Sequence, residues 1–189
     1  MANERLEPFR DYDEHDVINL FAFDDTAVTL DSSTVVYAGS VVKVRTGWNN
    51  TDEVQQLGDV GASYNNVVSQ RYGVSAKVEY CNGGPSEVPL GITLYDVREA
   101  DENGELLKFN PQKAAELQAA ISGQAVPIVT KGIFLFATGA FTDSDSLQAG
   151  STLYASGNGQ LSSAAGGVKV GKALGASDAD GSVLVKLEL

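Results

Sequence analysis

The sequence predicts a mainly β fold with one or two short helices. Three observations predict it. Several segments alternate apolar and polar residues with period two, which puts one face on a core and one in water. Asn-Gly, Asp-Gly and Gly-Gly pairs punctuate those segments, and each accepts the positive φ of a tight turn at low cost. The 189 residues include 20 glycines alongside abundant Leu, Val and Ile, which suits short strands joined by turns better than long helices or disorder.

In chain order, residues 1 to 16 show neither a helical nor a strand period and read as an extended arm. They contain Pro8 and the cluster Asp11-Tyr12-Asp13-Glu14-His15-Asp16. Val17 to Phe23 is short and rich in β-formers, so it reads as one buried strand. Val42 and Val44 oppose Lys43 and Arg45, and Val74, Ala76, Val78 and Tyr80 oppose Ser75, Lys77 and Glu79. Ile92 to Val97, Val126 to Thr130, Ile133 to Ala137, Thr152 to Ala155 and Val168 to Leu174 are further strand candidates, with Pro127 expected at an edge or bulge. Asp180-Gly181 precedes a final alternating strand, Val183 to Leu189, and so predicts a terminal hairpin.

A helix is predicted after Asn110, a capping residue, with Pro111 in the first position. Ala114, Leu117 and Ile121 share one face, and Gly123 stops it. A weaker helix signal runs from Asn50, with Glu53 three residues on and Gly58 at its end. Residues 139 to 167 are rich in Gly, Ser and Ala and read as exposed loops with a short strand near Leu153 and Tyr154. The division expected is an arm over residues 1–20 and one β-rich domain over 21–189.

The net charge of −12 repels phosphates and anionic lipid, so nucleic-acid and membrane partners are not expected. A single cysteine, Cys81, excludes an intramolecular disulfide and a four-cysteine zinc site. No segment reaches the roughly 18 apolar residues of a membrane span, and Met1 to Arg10 lacks an apolar signal core. The expected compartment is a cytoplasm, or a particle built there.

Catalytic motifs are sparse. His15, the one histidine, lies among Asp11, Asp13, Glu14 and Asp16, which reads as a solvated polar turn ahead of a metal site. No Gly-x-Ser-x-Gly elbow occurs, and Cys81 ends an alternating strand, where a packed thiol is the better reading than a nucleophile. Gly157-Asn158-Gly159 matches only the start of a dinucleotide fingerprint, and Gly171-Lys172-Ala173 lacks the hydroxyl of a phosphate loop. Asp143-Ser144-Asp145-Ser146 and Asp178-Ala179-Asp180-Gly181 lack the closing glutamate of a calcium loop. The expectation is a non-enzymatic protein without cofactor or metal.

The string from Arg10 to Phe21, Arg-Asp-Tyr-Asp-Glu-His-Asp-Val-Ile-Asn-Leu-Phe, resembles the opening of tailed-phage head decoration (cement) proteins. Pro89 to Glu105, Phe109 to Val129, and the tail from Val170 to Gly175 into the last strand are similar to the same group. The resemblance implies a compact β-barrel or β-tulip-like body with an N-terminal arm. It also implies a homotrimer on the outer surface of the virion, bound to the major capsid protein and stabilising the shell against internal DNA pressure. On this reading the arm supplies the capsid contacts: Leu6, Phe9, Tyr12, Ile18 and Phe21, with Arg5 and Arg10 for anionic partners. For Ile18 and Phe21 the protein's own core is the equal alternative. Competing readings are another virion part, such as a head fibre base or tail protein, an acid-dependent hydrolase, or a carbohydrate-binding module, for which Trp48 and seven tyrosines are the available flat aromatics.

Overall fold

The fold is described from a computed structural model, over residues 4–24, 34–47, 76–143 and 146–189. The strands among these residues are β1 (Leu6–Asp11), β2 (Val17–Ile18), β3 (Ala22–Phe23), β4 (Val35–Val36), β5 (Val41–Thr46), β6 (Lys77–Tyr80), β7 (Pro89–Thr93), β8 (Asp96–Arg98), β9 (Ala119–Ala120), β10 (Ile128–Val129), β11 (Lys131–Phe136), β12 (Thr152–Ser156), β13 (Gln160–Ser162), β14 (Lys169–Ala173) and β15 (Val183–Glu188). One sheet has the order β1-β11-β15-β14-β12-β13, a second β2-β10-β7-β5-β6-β3, and a small third β4-β8-β9. The mainly β body expected from the sequence is present, and one of its sheets curls into a half-barrel.

The second sheet lies between the other two. Val41, Ile92 and Val129 point from it into the main core, where they meet Leu6, Phe134, Phe136, Leu153, Val185 and Leu187 of the first sheet. Their chain neighbours Val42 and Ile128 point the opposite way, toward Val36, Val97 and Ala120 of the third sheet. Successive strand residues face opposite sides, so a sheet covered on both faces needs consecutive apolar residues rather than alternation. The alternation expected at Val42 and Val44 is therefore replaced. Val41 and Val42 are both buried, while Val44 lies where β5 has left the core and is 42% exposed.

The terminal hairpin forms as expected: β14 pairs antiparallel with β15, Ala173 opposite Val185. Asp178 closes the turn by accepting hydrogen bonds from the N–H groups of Asp180 and Ser182. β12 and β13 are joined through Asn158-Gly159, whose consecutive φ values of 58° and 69° are the left-handed geometry that this pair tolerates.

Other expectations are corrected. The stretch Val17 to Phe23 is two short strands, because β2 pairs with β10 while β3 pairs with β6. Ile92 to Val97 is likewise divided, its first half in the second sheet and its second half in the third. The helix, α1 (Pro111–Glu116), starts as predicted, with Asn110 accepting from the Lys113 N–H at 3.2 Å. It ends before Ile121. Gln118 turns the chain with φ 48°, and Ala119–Ala120 becomes β9 beside β8. The weaker helix from Asn50 to Gly58, Val74 and Trp48 lie outside the described residues.

The N-terminal segment is extended but is not a free arm. β1 pairs antiparallel with β11, Leu6 opposite Phe136 and Arg10 opposite Phe134. Four residues of β1 thus span a register that β11 covers in two, and Pro8 sits within that irregularity. Proline has no N–H for a ladder, so an edge strand with a bulge is where it fits. Burial of Leu6 in the main core and pairing of β1 and β2 with body strands make residues 4–20 part of the body.

Candidate functional site

β1 is an edge strand of its sheet, and its outer side borders the segment from Leu94 to Arg98 and the end of α1. Its two faces differ. Leu6 points inward and is buried, whereas Phe9 is 52% exposed. Tyr12 follows the strand, stacks on Phe134 with ring centroids 5.8 Å apart, and keeps its other side in solvent.

Two arginines fix the ends of this strand. Arg5 donates from Nη1 to Ser40 Oγ at 2.9 Å and to the Asn158 carbonyl at 2.8 Å. Its guanidinium lies 5.8 Å from the Tyr80 ring centroid, and Tyr80 in turn packs edge-on against Phe23. Burial lowers the pKa of Arg5 and raises that of Tyr80. Arg10 donates from Nη1 to the Leu94 carbonyl at 3.1 Å and to Gln118 Oε1 at 3.3 Å. Its Nε is buried without a hydrogen-bond partner.

Opposite Arg10 stand Asp96 and Arg98, from β8. Asp96 Oδ1 accepts from the Ala38 N–H at 2.7 Å, yet burial pushes its carboxyl above the usual range. Arg98 Nε donates to the Ala100 carbonyl at 2.7 Å. Together these residues line a groove of about 380 Å³ with Glu4 and Glu102 also at its walls. A second hollow of about 340 Å³ adjoins it at Leu94 and is more apolar, lined by Tyr12, Val17, Tyr95 and Pro127.

The structure therefore brings Arg5, Arg10 and Leu6 to one groove and Tyr12 to the next. Phe9 projects from the same strand. Ile18 is half-buried in β2 opposite Ile128, and Phe21, partly buried, packs against the second core. The sequence reading missed Tyr95, Asp96, Arg98 and Gln118. Nothing in a linear string links them to Arg10, because the fold, not local spacing, brings β8 and the end of α1 alongside β1.

Elsewhere the polar residues singled out from the sequence hold turns. His15 lies in a 3-10 turn, Glu14–Asp16, whose N-cap Asp13 accepts from the His15 N–H at 2.9 Å. Cys81 is fully buried, and burial raises its thiol pKa, so the unreactive thiol form dominates near neutral pH. Asp143 accepts from the Ser163 N–H at 2.9 Å. Its neighbours Ser144 and Asp145 lie outside the described residues. Among the described residues no three His, Cys, Asp or Glu side chains gather as a metal-ligand set. Comparison with family models, with curated proteins and with solved structures gives no match to this chain.

Proposed function

We propose that this chain is a structural, non-catalytic capsid decoration protein that binds the outer surface of a phage head, with the β1 face turned toward the shell. The observation that carries the reading is the position of β1. The segment leading out of it, from Arg10 onward, resembles the opening of decoration proteins, and β1 itself is an edge strand presenting Phe9 and Tyr12 to solvent. An open strand edge flanked by aromatic and guanidinium groups can take an extended partner segment, with backbone hydrogen bonds for affinity and side chains for selection. Its partner is the major capsid protein, and association as a homotrimer multiplies weak contacts through effective concentration. A −12 charge suits the solvent side of the shell better than the inner wall beside packed DNA. The chain is made in the host cytoplasm and ends in the virion.

The test is whether purified protein, mixed with undecorated heads, cosediments with them in a fixed ratio to the shell subunit. Phe9→Asp with Tyr12→Ser is expected to lower occupancy while leaving the circular dichroism spectrum and melting temperature near wild type. Unchanged occupancy in the folded double variant would remove the β1 face from the proposal. No cosedimentation of the wild type with any tailed-phage head would remove the capsid.

A further inference from the structure

The described residues contain four arginines, and their pairing is uneven. Arg45 has carboxylate partners, with Asp24 at 2.6 Å and Glu79 at 3.5 Å. Among the described residues Arg5, Arg10 and Arg98 have no carboxylate within 4.0 Å, although acids outnumber bases 25 to 13 in this chain. All three line the same groove. Chance placement in so acidic a protein favours paired cations, and Lys43 and Lys113 are each held by two carboxylates.

The free hydrogen-bonding capacity is specific. Arg5 is committed to Ser40 and Asn158, so it anchors the strand. Arg10 spends Nη1 on neutral acceptors and buries Nε without a partner. Among the described residues Arg98 spends only Nε. A guanidinium presents five N–H donors in a planar fork shaped for a carboxylate.

We propose that the groove between β1 and β8 is a carboxylate-binding site, in which Arg10 and Arg98 take an Asp or Glu side chain of an extended partner segment. The identification of that segment as part of a shell subunit rests on the function proposed above; the carboxylate site itself does not. Glu4, Asp96 and Glu102 around the groove select a monoanion over a phosphate dianion, because each added negative charge meets three acids already there. The apolar hollow at Tyr12 and Tyr95 lies next along the groove and accommodates an uncharged neighbour of that acid.

The probe is a short capped peptide of valines around one glutamate, and its glutamine counterpart, titrated into the full chain. Binding is followed through the arginine Nε–Hε resonances in nitrogen-15 spectra. The glutamate peptide is expected to bind about tenfold more tightly than the glutamine peptide and to shift the Arg10 and Arg98 signals. Arg10→Gln and Arg98→Gln, each checked for an unchanged melt, should abolish that preference, and Arg45→Gln should keep it. Equal binding of the two peptides, a preference that survives both groove variants, or a larger response to inorganic phosphate than to the glutamate peptide would overturn the site. A protein that shows the glutamate preference but never binds heads supports the site and overturns only the capsid reading.

Discussion

Leu6 and Phe9 lie three residues apart on one strand and face opposite ways, which makes them a sharp test of how the N-terminus is held. Leu6 is 4% exposed and packs in the main core; Phe9 is 52% exposed. Truncating a buried leucine to alanine removes its transfer free energy and leaves a cavity, together about 2–5 kcal/mol. In a domain of this size each kcal/mol moves the melting temperature by about 2–4 °C. A mid-range loss of about 3 kcal/mol thus predicts a drop of about 6–12 °C for Leu6→Ala. Phe9→Ala removes a side chain that is half in solvent and is expected to cost clearly less than Leu6→Ala. Urea titration and calorimetry on the two variants measure both values. If β1 detached readily from β11, neither substitution would register. A Leu6→Ala melt within about 2 °C of wild type would refute the docked strand, and a larger loss at Phe9 than at Leu6 would refute the assignment of faces.

Other outcomes follow from local geometry. Gly91→Ala in β7 drives a Cβ into the Val129 carbonyl oxygen and sets it 2.6 Å from Ile128 Cγ2, so the middle sheet must open there; a cooperative melt unchanged from wild type would contradict that packing. Asp101, its carboxylate on Lys113 Nζ and on the N–H groups of Glu105 and Asn103, has its pKa lowered to about 2. Because the folded value is depressed, its stabilisation is complete above the unfolded value of about 3.9 and is lost as pH falls toward the folded one. Urea midpoints between pH 5 and 2 (a range set by those two values) should therefore fall less steeply in Asp101→Asn than in wild type. Asn110→Ala removes the cap of α1 and is expected to cost about 1 kcal/mol, read from the urea midpoint. Cys81, buried with its thiol pKa raised, should react with a thiol reagent only as fast as the chain opens, so a stoichiometric burst in native buffer would contradict its place in the core.

The parts of the fold legible in the sequence are those whose physics is local. The β14–β15 hairpin was readable because Val183, Val185 and Leu187 alternate with polar residues after an Asp-Gly turn, and one face of β15 does meet the core. The start of α1 was readable because Asn110 and Pro111 act within one turn. The end of α1 was not, since a helical face through Ile121 cannot be told from a break at Gln118 by spacing alone. The middle sheet was obscured for a different reason. Val41 with Val42 and Ile128 with Val129 serve two cores at once, and burial on both faces erases the alternation that marks a strand. In β1 the irregular register around Pro8 breaks the period, so the segment looked unstructured. The groove was half legible: Arg5, Arg10 and Tyr12 stood out in the N-terminal string, while Arg98 and Asp96 gain meaning only from the fold that sets β8 beside them.

The placement of β11 between β1 and β15 has a mechanical consequence. β1 and β15 both run antiparallel to β11, with Leu6 and Val183 each set against Phe136, so the two outer strands are parallel and in step. A pull outward on the chain before Leu6 and on the chain after Glu188 acts along the strand axes, in opposite directions. Ladder hydrogen bonds lie across those axes. The tension therefore shears the rungs of both ladders together instead of peeling them off one by one. Pulled in that direction the sheet gives way in a single high-force step, whereas a load that lifts β1 sideways from β11 meets only one rung at a time.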